Sequence, residues 1–182
     1  MIQSANLGFP RIGAARDLKK ALEAYWRQDI SQKDLISTGK TLRARHWQLQ
    51  QSKGVDVIPC GDFSFYDQIL DMTATLGAVP ARFEHTGGHV SLDTYFAMAR
   101  GSKNAPAMEM TKWFDTNYHY IVPEFTADQR FSLSSTRLVD EYKEALAQGI
   151  HTRPVIIGPV TYLTLGKSKD AALDDPLDLL DR

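Results

Sequence analysis

The chain has 182 residues, of which 43% are hydrophobic and 24% charged, and its formal net charge at pH 7 is −1. This length allows one domain with a sizeable core, and so balanced a charge argues against a nucleic-acid partner. The sequence lacks the ~20 consecutive apolar residues of a membrane span, and its N-terminus lacks the pattern of a secretory signal. Cys60 has no second cysteine with which to form a disulfide. We therefore expect a cytoplasmic protein without a membrane partner.

Two amphipathic helices are predicted in the first third of the chain, after a strand over residues 5–9. The apolar stripe of the first helix consists of Leu18, Ala21, Leu22, Tyr25 and Trp26. Ser31 is a suitable N-cap for the second helix, and Gly54 suits the position just after its end. Its periodic positions are Leu35, Gly39, Leu42, His46 and Leu49.

Three further helices are predicted between residues 65 and 149. One covers residues 65–76. Ser91 can cap the next, which stops at Gly101, and Ser135 can cap the third, which ends at Gly149. One face of the third helix consists of Leu138, Val139, Tyr142 and Leu146.

Short apolar segments between these helices predict about four strands. Besides residues 5–9, they are residues 55–58, part of 110–122, and 155–157. Strands separated by helices indicate an α/β fold built from βα units with a parallel sheet. A closed (βα)8 barrel of the TIM type needs eight strands, so the chain holds about half of a barrel or a small open sheet.

The end of the sequence bears on that choice. Asp175 can cap a helix that starts at Pro176, and an apolar pattern begins with Leu177, Leu179 and Leu180. The sequence stops after about two turns, and so short a helix is marginal unless it packs. It is either the frayed end of a complete domain or the beginning of a longer element, and we favour the second interpretation, which corresponds to half of a barrel.

The first candidate site is the basic junction, residues 8–20, between the first strand and the first helix. Barrel enzymes bind ligands at such junctions, and helix N-termini favour anions. Arg16, Lys19 and Lys20 occupy this helix start, where a cation opposes the helix dipole. An anionic ligand such as a chain of carboxylates would account for these cations, and the alternative is a solvated basic helix face.

The second candidate site is Lys112, in an aromatic-rich segment. If residues 110–122 continue as one strand, alternation places Lys112 on the same face as Phe114, Thr116 and Tyr118. A lysine among aromatic side chains can bind an anion, or its ammonium can reach solvent from an amphipathic strand. The residues alone leave both interpretations open.

The remaining polar residues favour structural roles. Asp62 can contact a polar ligand or cap the next helix, and we favour the cap. Cys60 is expected to be a small buried residue, because no neighbour would lower the pKa of its thiol. His85 and His89 are separated by a Thr-Gly-Gly sequence that predicts a loop, so we assign no metal site and no catalytic residue to this chain.

Several segments, taken in order, resemble the N-terminal part of the cobalamin-independent methionine synthases, a methyltransferase family of methionine biosynthesis. The longest is residues 109–120, which read EMTKWFDTNYHY. The others are residues 7–13, 16–19, 42–47, 61–63 and 158–163. The resemblance covers nearly the whole chain, and the order of the segments makes it specific.

This resemblance implies two facing (βα)8 barrels, with residues 1–182 forming about half of the N-terminal one. It also implies transfer of a methyl group from 5-methyltetrahydropteroyltri-L-glutamate to L-homocysteine, which yields L-methionine. Zinc and homocysteine would be bound by a C-terminal catalytic barrel that the chain lacks, so the isolated chain is expected to be inactive.

The resemblance further implies that the triglutamyl folate is bound by Arg16, Asp17, Leu18, Lys19 and Lys112. Asp17 stands where the family commonly has glutamate. Arginine can bind a carboxylate through two parallel hydrogen bonds, whereas lysine acts as a movable charge. Leu18 would contribute backbone or packing, because its side chain lies on the apolar stripe.

A standalone binding or regulatory protein, derived from the same barrel and without chemistry, is the alternative function. Half of a barrel would leave two sheet edges and one core face uncovered. We therefore expect the isolated chain to self-associate in a way that covers them.

Overall fold

The computed structural model describes residues 2–182, which form two compact units. The first unit comprises the residues up to Phe65 together with Arg137–Ile156, and the second comprises Tyr66–Thr136 with Ile157–Arg182. Both contain helices and strands, so the predicted α/β content is confirmed. In residues 2–182, none of the helices is long and apolar enough to cross a membrane.

The strands are much shorter than the helices. Within the described residues the α-helices are α1 (Asp17–Trp26), α2 (Gln32–Ser52), α3 (Gln68–Thr75), α4 (Leu92–Arg100), α5 (Arg137–Leu146) and α6 (Pro159–Thr164). The strands are β1 (Ile58–Cys60), β2 (Met110–Lys112), β3 (His119–Ile121), β4 (Glu124–Phe125), β5 (Thr152–Pro154) and β6 (Lys167–Ser168). Two 3-10 helices span Ala81–Phe83 and Pro176–Leu179.

In the first unit, α2 and α5 pack on the parallel pair of β1 and β5, and α1 packs on α2. The strand pair aligns Ile58 with Thr152. The indole N–H of the buried Trp47 donates to the carbonyl oxygen of Pro59 at 3.1 Å, which joins α2 to β1. The core cluster of this unit consists of Trp47, Ile58, Cys60, Ala145 and Ile150.

The second unit contains the antiparallel hairpin β2–β3 and the parallel pair β4–β6. The hairpin aligns Met110 with Ile121 and Lys112 with His119. The core cluster of this unit consists of Ile69, Tyr120, Val122, Phe125, Tyr162, Leu163, Leu173 and Leu179. Across residues 2–182 the strands form three two-stranded sheets and no closed sheet, so the barrel stays a prediction.

Local signals predicted the helix ends well. Ser31 caps α2 in a capping box with Asp34, and Gly54, with φ of 75°, follows the end of that helix. Ser91 caps α4 as predicted. Asp175 also caps the element that follows it, but that element is a 3-10 helix of four residues rather than the start of an α-helix.

The predicted strands are displaced from the observed ones. Residues 5–9 form only an isolated bridge between Ala5 and Val57, residues 55–58 are replaced by β1, and residues 155–157 by β5. A strand exists where its backbone finds a partner, and apolar runs do not specify that partner. Predictions of strand limits from such runs were therefore wrong by several residues.

Helix α5 buries a face that only partly overlaps the predicted one: Leu138 and Tyr142 are half-buried, and Tyr142 packs against the core cluster. Val139 and Leu146 remain 53% and 40% exposed, whereas Ala145 and the charged Glu141 are buried. The reason is electrostatic: the Glu141 carboxylate accepts a hydrogen bond from Arg137 at 2.9 Å, so a paired charge takes a core position.

Gly61, at the end of β1, has φ of 78°, and a Cβ there would lie 2.7 Å from Leu138 Cδ2 and 3.0 Å from the Val155 oxygen. We predict that Gly61→Ala lowers the free energy of unfolding by roughly 2–4 kcal/mol, through backbone strain and overpacking. Gly149 has a similar φ of 75° but no atom within 4 Å of such a Cβ, so Gly149→Ala should cost only about 1–2 kcal/mol. Urea denaturation measures the free energy of unfolding of both variants. An equal loss of stability in Gly61→Ala and Gly149→Ala would contradict the packing argument.

Candidate functional site

The basic junction lies at the start of α1, where Arg16 directly precedes the helix. Arg16 has a left-handed backbone, with φ of 59° and ψ of 37°, and its N–H donates to the Gly13 oxygen at 3.1 Å. Its side chain is exposed and forms no ion pair within residues 2–182. Left-handed backbone is disfavoured for arginine by about 1–2 kcal/mol, so the surrounding loop holds this residue in place.

Asp17 stabilises the start of the helix. Its Oδ2 accepts the N–H of Ala15 at 3.2 Å and lies 3.9 Å from Nη2 of Arg45. A Cβ at Gly13 would collide with the same oxygen, so the close packing beside Asp17 requires glycine. The carboxylate also lies in the first turn, where a negative charge interacts favourably with the helix dipole.

Leu18 and Lys19 face opposite environments. The Leu18 side chain is fully buried, as its place on the apolar stripe predicts, and its N–H donates to the Ile12 oxygen at 3.0 Å. Lys19 is exposed, with Nζ 3.5 Å from Oε1 of Glu23, and both side chains are about half accessible at 48% and 46%. A pair this accessible contributes little to stability, so Lys19 can exchange Glu23 for another carboxylate.

Asp62 does not cap α3, and that prediction was wrong. Its Oδ2 accepts the N–H of Phe9 at 2.8 Å, and Asp67 caps α3 instead, because the helix starts five residues later than Asp62 would require. Burial raises the pKa of the Asp62 carboxyl, while the Phe9 N–H and the positive charges of Arg137 and Arg43 act in the opposite direction.

A buried charge network in the first unit escaped prediction. Glu141, 2% exposed, accepts from Arg137 at 2.9 Å and from the N–H of Gly61 at 3.2 Å, and it forms an ion pair with Arg43 at 3.8 Å. Arg43 also donates to Glu144 at 2.7 Å. Periodicity carried no signal for this network, because the predicted apolar face of α5 did not include Glu141, which the structure shows to be buried.

Lys112 is the last residue of β2 and is exposed. The continuous strand predicted through it was wrong, because the chain turns back directly after it. The Trp113 N–H donates to the Tyr118 oxygen at 2.7 Å, and Phe114 has φ of 49°. Phe114, Thr116 and Tyr118 therefore do not continue the strand face of Lys112. Within the described chain, the Lys112 ammonium forms no ion pair.

Asp67 anchors the hairpin that carries Lys112. This side chain is 1% exposed, and its carboxylate accepts N–H groups from Ile69 at 2.8 Å, Leu70 at 3.1 Å and Ile121, in β3, at 3.0 Å. Burial raises the pKa of Asp67 to about 7, and the nearby Asp71 acts in the same direction, while the three N–H donors oppose the shift.

The histidines and the cysteine do not form a metal centre in the part of the chain that the structure describes. No three His, Cys, Asp or Glu side chains are grouped there to hold an ion. His85 and His89 lie outside helices and strands, as predicted. Cys60 is buried, and burial raises the pKa of its thiol, which confirms its structural interpretation.

Residues 3–182 match the sequence model of the family described as "Cobalamin-independent synthase, N-terminal domain". The chain is also 57% identical over 190 residues to a Salinibacter ruber protein named 5-methyltetrahydropteroyltriglutamate--homocysteine methyltransferase, a match covering 100% of this chain and 25% of the relative.

Two further relatives carry the same name. The Acidithiobacillus ferrooxidans protein is 59% identical over 165 residues, which cover 91% of this chain and 21% of the relative. The Chelativorans protein is 53% identical over 194 residues, which cover 100% of this chain and 25% of the relative. The chain thus spans about a quarter of the length of the curated relatives it matches.

The raised pKa of Asp67 predicts how stability changes with pH. The folded state holds the Asp67 proton more tightly than the unfolded state, so the associated stability is complete below about pH 4 and is lost as pH rises towards about 7. We predict that the unfolding free energy of the wild type, relative to Asp67→Asn, falls by roughly 2–3 kcal/mol between pH 5 and 8.

Chemical denaturation at each pH measures this difference. Asp170→Asn is the control, because two backbone N–H groups lower the pKa of Asp170, and its difference from the wild type should stay flat over that range. A difference for Asp67→Asn that grows with pH would mean that the three N–H donors outweigh burial, contrary to this account.

Proposed function

The chain belongs to the cobalamin-independent methionine synthase family, within the N-terminal domain, and we propose that it forms the folate-polyglutamate-binding part of a methyltransferase. The reaction proposed for the whole enzyme is transfer of a methyl group from 5-methyltetrahydropteroyltri-L-glutamate to L-homocysteine. The observation that carries this proposal is the identity of 53–59% with methyltransferases of that name, over nearly all of the chain.

We propose that Arg16, Asp17, Leu18 and Lys19 of the first unit, and Lys112 of the second, bind the triglutamyl substrate. The exposure of the three cations supports this role, because an accessible charge can meet a ligand carboxylate without losing a buried partner. Lys19 has only the accessible Glu23 to release.

Each residue has a distinct part in this proposal. Arg16 binds a carboxylate of the tail through its guanidinium, and Lys19 and Lys112 supply point charges. Asp17 fixes the helix start through Ala15 and Arg45, and the buried Leu18 anchors α1 to the core. Because the contacts are ionic and accessible, affinity for the tail should weaken as the salt concentration rises.

The remaining parts of the enzyme are proposed from the family. Residues 1–182 would form part of an N-terminal (βα)8 barrel, and zinc and homocysteine would be bound by a second barrel outside this chain. Zinc there would keep the homocysteine sulfur as a thiolate. We also propose that the protein is cytoplasmic and that the isolated chain does not turn over substrate. The isolated chain should self-associate through its uncovered sheet edges.

A chimeric enzyme tests this function. Residues 1–182 replace the aligned quarter of the Salinibacter ruber methyltransferase, and methyl transfer to homocysteine is measured with the triglutamyl folate. We expect turnover with a KM within about threefold of the parent enzyme, a difference of under 1 kcal/mol. A chimera that unfolds cooperatively like the parent but neither turns over nor binds the folate would contradict the proposal. Binding without turnover would favour the alternative of a non-catalytic binding protein.

The same chimera tests the role of Lys112. We predict that Lys112→Ala raises KM for the triglutamyl substrate about tenfold, the loss expected for one charge-assisted hydrogen bond, and leaves KM for the monoglutamyl substrate nearly unchanged. Lys103→Ala is the matched control, because Lys103 is also exposed in the second unit and lies outside the proposed site. Equal losses for both substrates would mean that Lys112 does not bind the tail.

A further inference from the structure

The loop between Ala5 and α1 carries Arg16 at its end and is joined to distant parts of the first unit by hydrogen bonds. Near its beginning, the side-chain amide of Asn6 donates to Oε1 of Gln50 at 3.0 Å. In its middle, the Phe9 N–H donates to Oδ2 of Asp62 at 2.8 Å. Asp62 is therefore an acceptor that holds the middle of the loop.

The loop lies tightly against the Asp62 side chain. A Cβ built on Gly8 would be 3.3 Å from Cβ of Asp62 and 3.4 Å from its Oδ2, which is closer than ordinary van der Waals contact for the first of these atoms. The Phe9 ring packs on His46, with ring centroids 4.6 Å apart. Glycine at position 8 thus permits the approach that the Phe9–Asp62 hydrogen bond needs.

Asp62 is itself held in place by buried charges. The preceding residue, Gly61, donates its N–H to Glu141, and Glu141 is paired with Arg137 and Arg43. Because Glu141 and Arg43 are buried, this network holds the backbone beside Asp62 from inside the first unit.

A displacement at Phe9 would be passed on to the cations. The Ile12 oxygen accepts the Leu18 N–H at 3.0 Å, and the Gly13 oxygen accepts the Arg16 N–H at 3.1 Å. These two bonds join the loop to the first turn of α1, so the orientation of Arg16, in its disfavoured left-handed conformation, depends on where residues 9–13 lie.

We propose that Asp62 is a positioning residue for the tail-binding cations: its carboxylate oxygen accepts the Phe9 N–H and thereby sets the geometry of Arg16 and Lys19. This inference rests on the proposed function of those cations. The role requires an acceptor oxygen and not a negative charge, so asparagine should replace aspartate at this position and alanine should not.

Hydrogen exchange of the purified 182-residue chain tests the positioning without any ligand. We expect Asp62→Ala to accelerate exchange of the Phe9 amide and of the amides of residues 11–16 by about tenfold, and Asp62→Asn to restore protection. Asp56→Ala is the matched control, because Asp56 accepts the Ser4 N–H at 2.7 Å in the same way but does not contact the loop at Phe9. Unchanged exchange in Asp62→Ala would overturn the inference and leave the proposed function intact.

Kinetics of the chimeric enzyme give the second readout. Asp62→Ala should raise KM for the triglutamyl folate about tenfold and KM for the monoglutamyl folate less than twofold, with rescue by Asp62→Asn and no change in Asp56→Ala. An equal rise for both substrates, or failure of asparagine to rescue, would overturn the inference. The proposed function is tested separately by Arg16→Gln and Lys112→Ala. If these two variants leave KM unchanged for both substrates, the proposed function fails together with the inference.

Should Asp62→Ala fail to fold, Gly8→Ala provides the same test. It keeps Asp62 but places a methyl group 3.3 Å from its Cβ, so the loop or the Asp62 side chain has to shift by a few tenths of an ångström. The expected result is again faster exchange at Phe9 and a raised KM for the triglutamyl substrate alone. Wild-type exchange and kinetics in a folded Gly8→Ala variant would contradict the positioning role.

Discussion

Buried and half-buried carboxylates that accept backbone N–H groups fix the segments on which this structure depends. Glu141 accepts from Gly61, Asp62 accepts from Phe9, and Asp67 accepts from Ile69, Leu70 and Ile121. Two of these bonds hold segments that carry exposed cations. Asp62 holds the loop that leads to Arg16, and Asp67 holds the hairpin that carries Lys112.

The three carboxylates meet the cost of burial in different ways. Glu141 is paired with two arginines, so its charge is compensated inside the first unit. Asp67 relies on three N–H donors, which do not offset its burial, so burial raises the pKa of its carboxyl to about 7. Asp62 lies between these cases, because the N–H of Phe9, its own N–H and the positive charges of Arg137 and Arg43 act against desolvation.

The sequence predicted what local chemistry determines. The caps at Ser31 and Ser91 and the end of α2 before Gly54 were confirmed, because each depends on residues within one turn. The path of the chain after Lys112 was not predicted, because a turn hydrogen bond between Trp113 and Tyr118 interrupts the apparent alternation.

Interactions between distant residues were missed altogether. The partners of Glu141 include Arg43, 98 positions away, and Asp62 binds Phe9, 53 positions away. Periodicity did not flag Glu141, because the predicted apolar face of α5 did not include it, and no spacing identifies its partners. Asp62 was expected to cap the helix that follows it. That prediction fails because α3 starts at Gln68, too far along the chain for Asp62 to be its N-cap.

We propose that exposed cations, on segments held by backbone bonds to buried and half-buried carboxylates, bind the polyanionic tail of a folate substrate. A structure of the chimeric methyltransferase with the triglutamyl folate bound tests it most directly. In that structure we expect carboxylates of the tail to lie within salt-bridge distance of Arg16, Lys19 and Lys112. The hydrogen bond between Phe9 and Asp62 should be intact. An ordered tail that contacts none of these three side chains would contradict it.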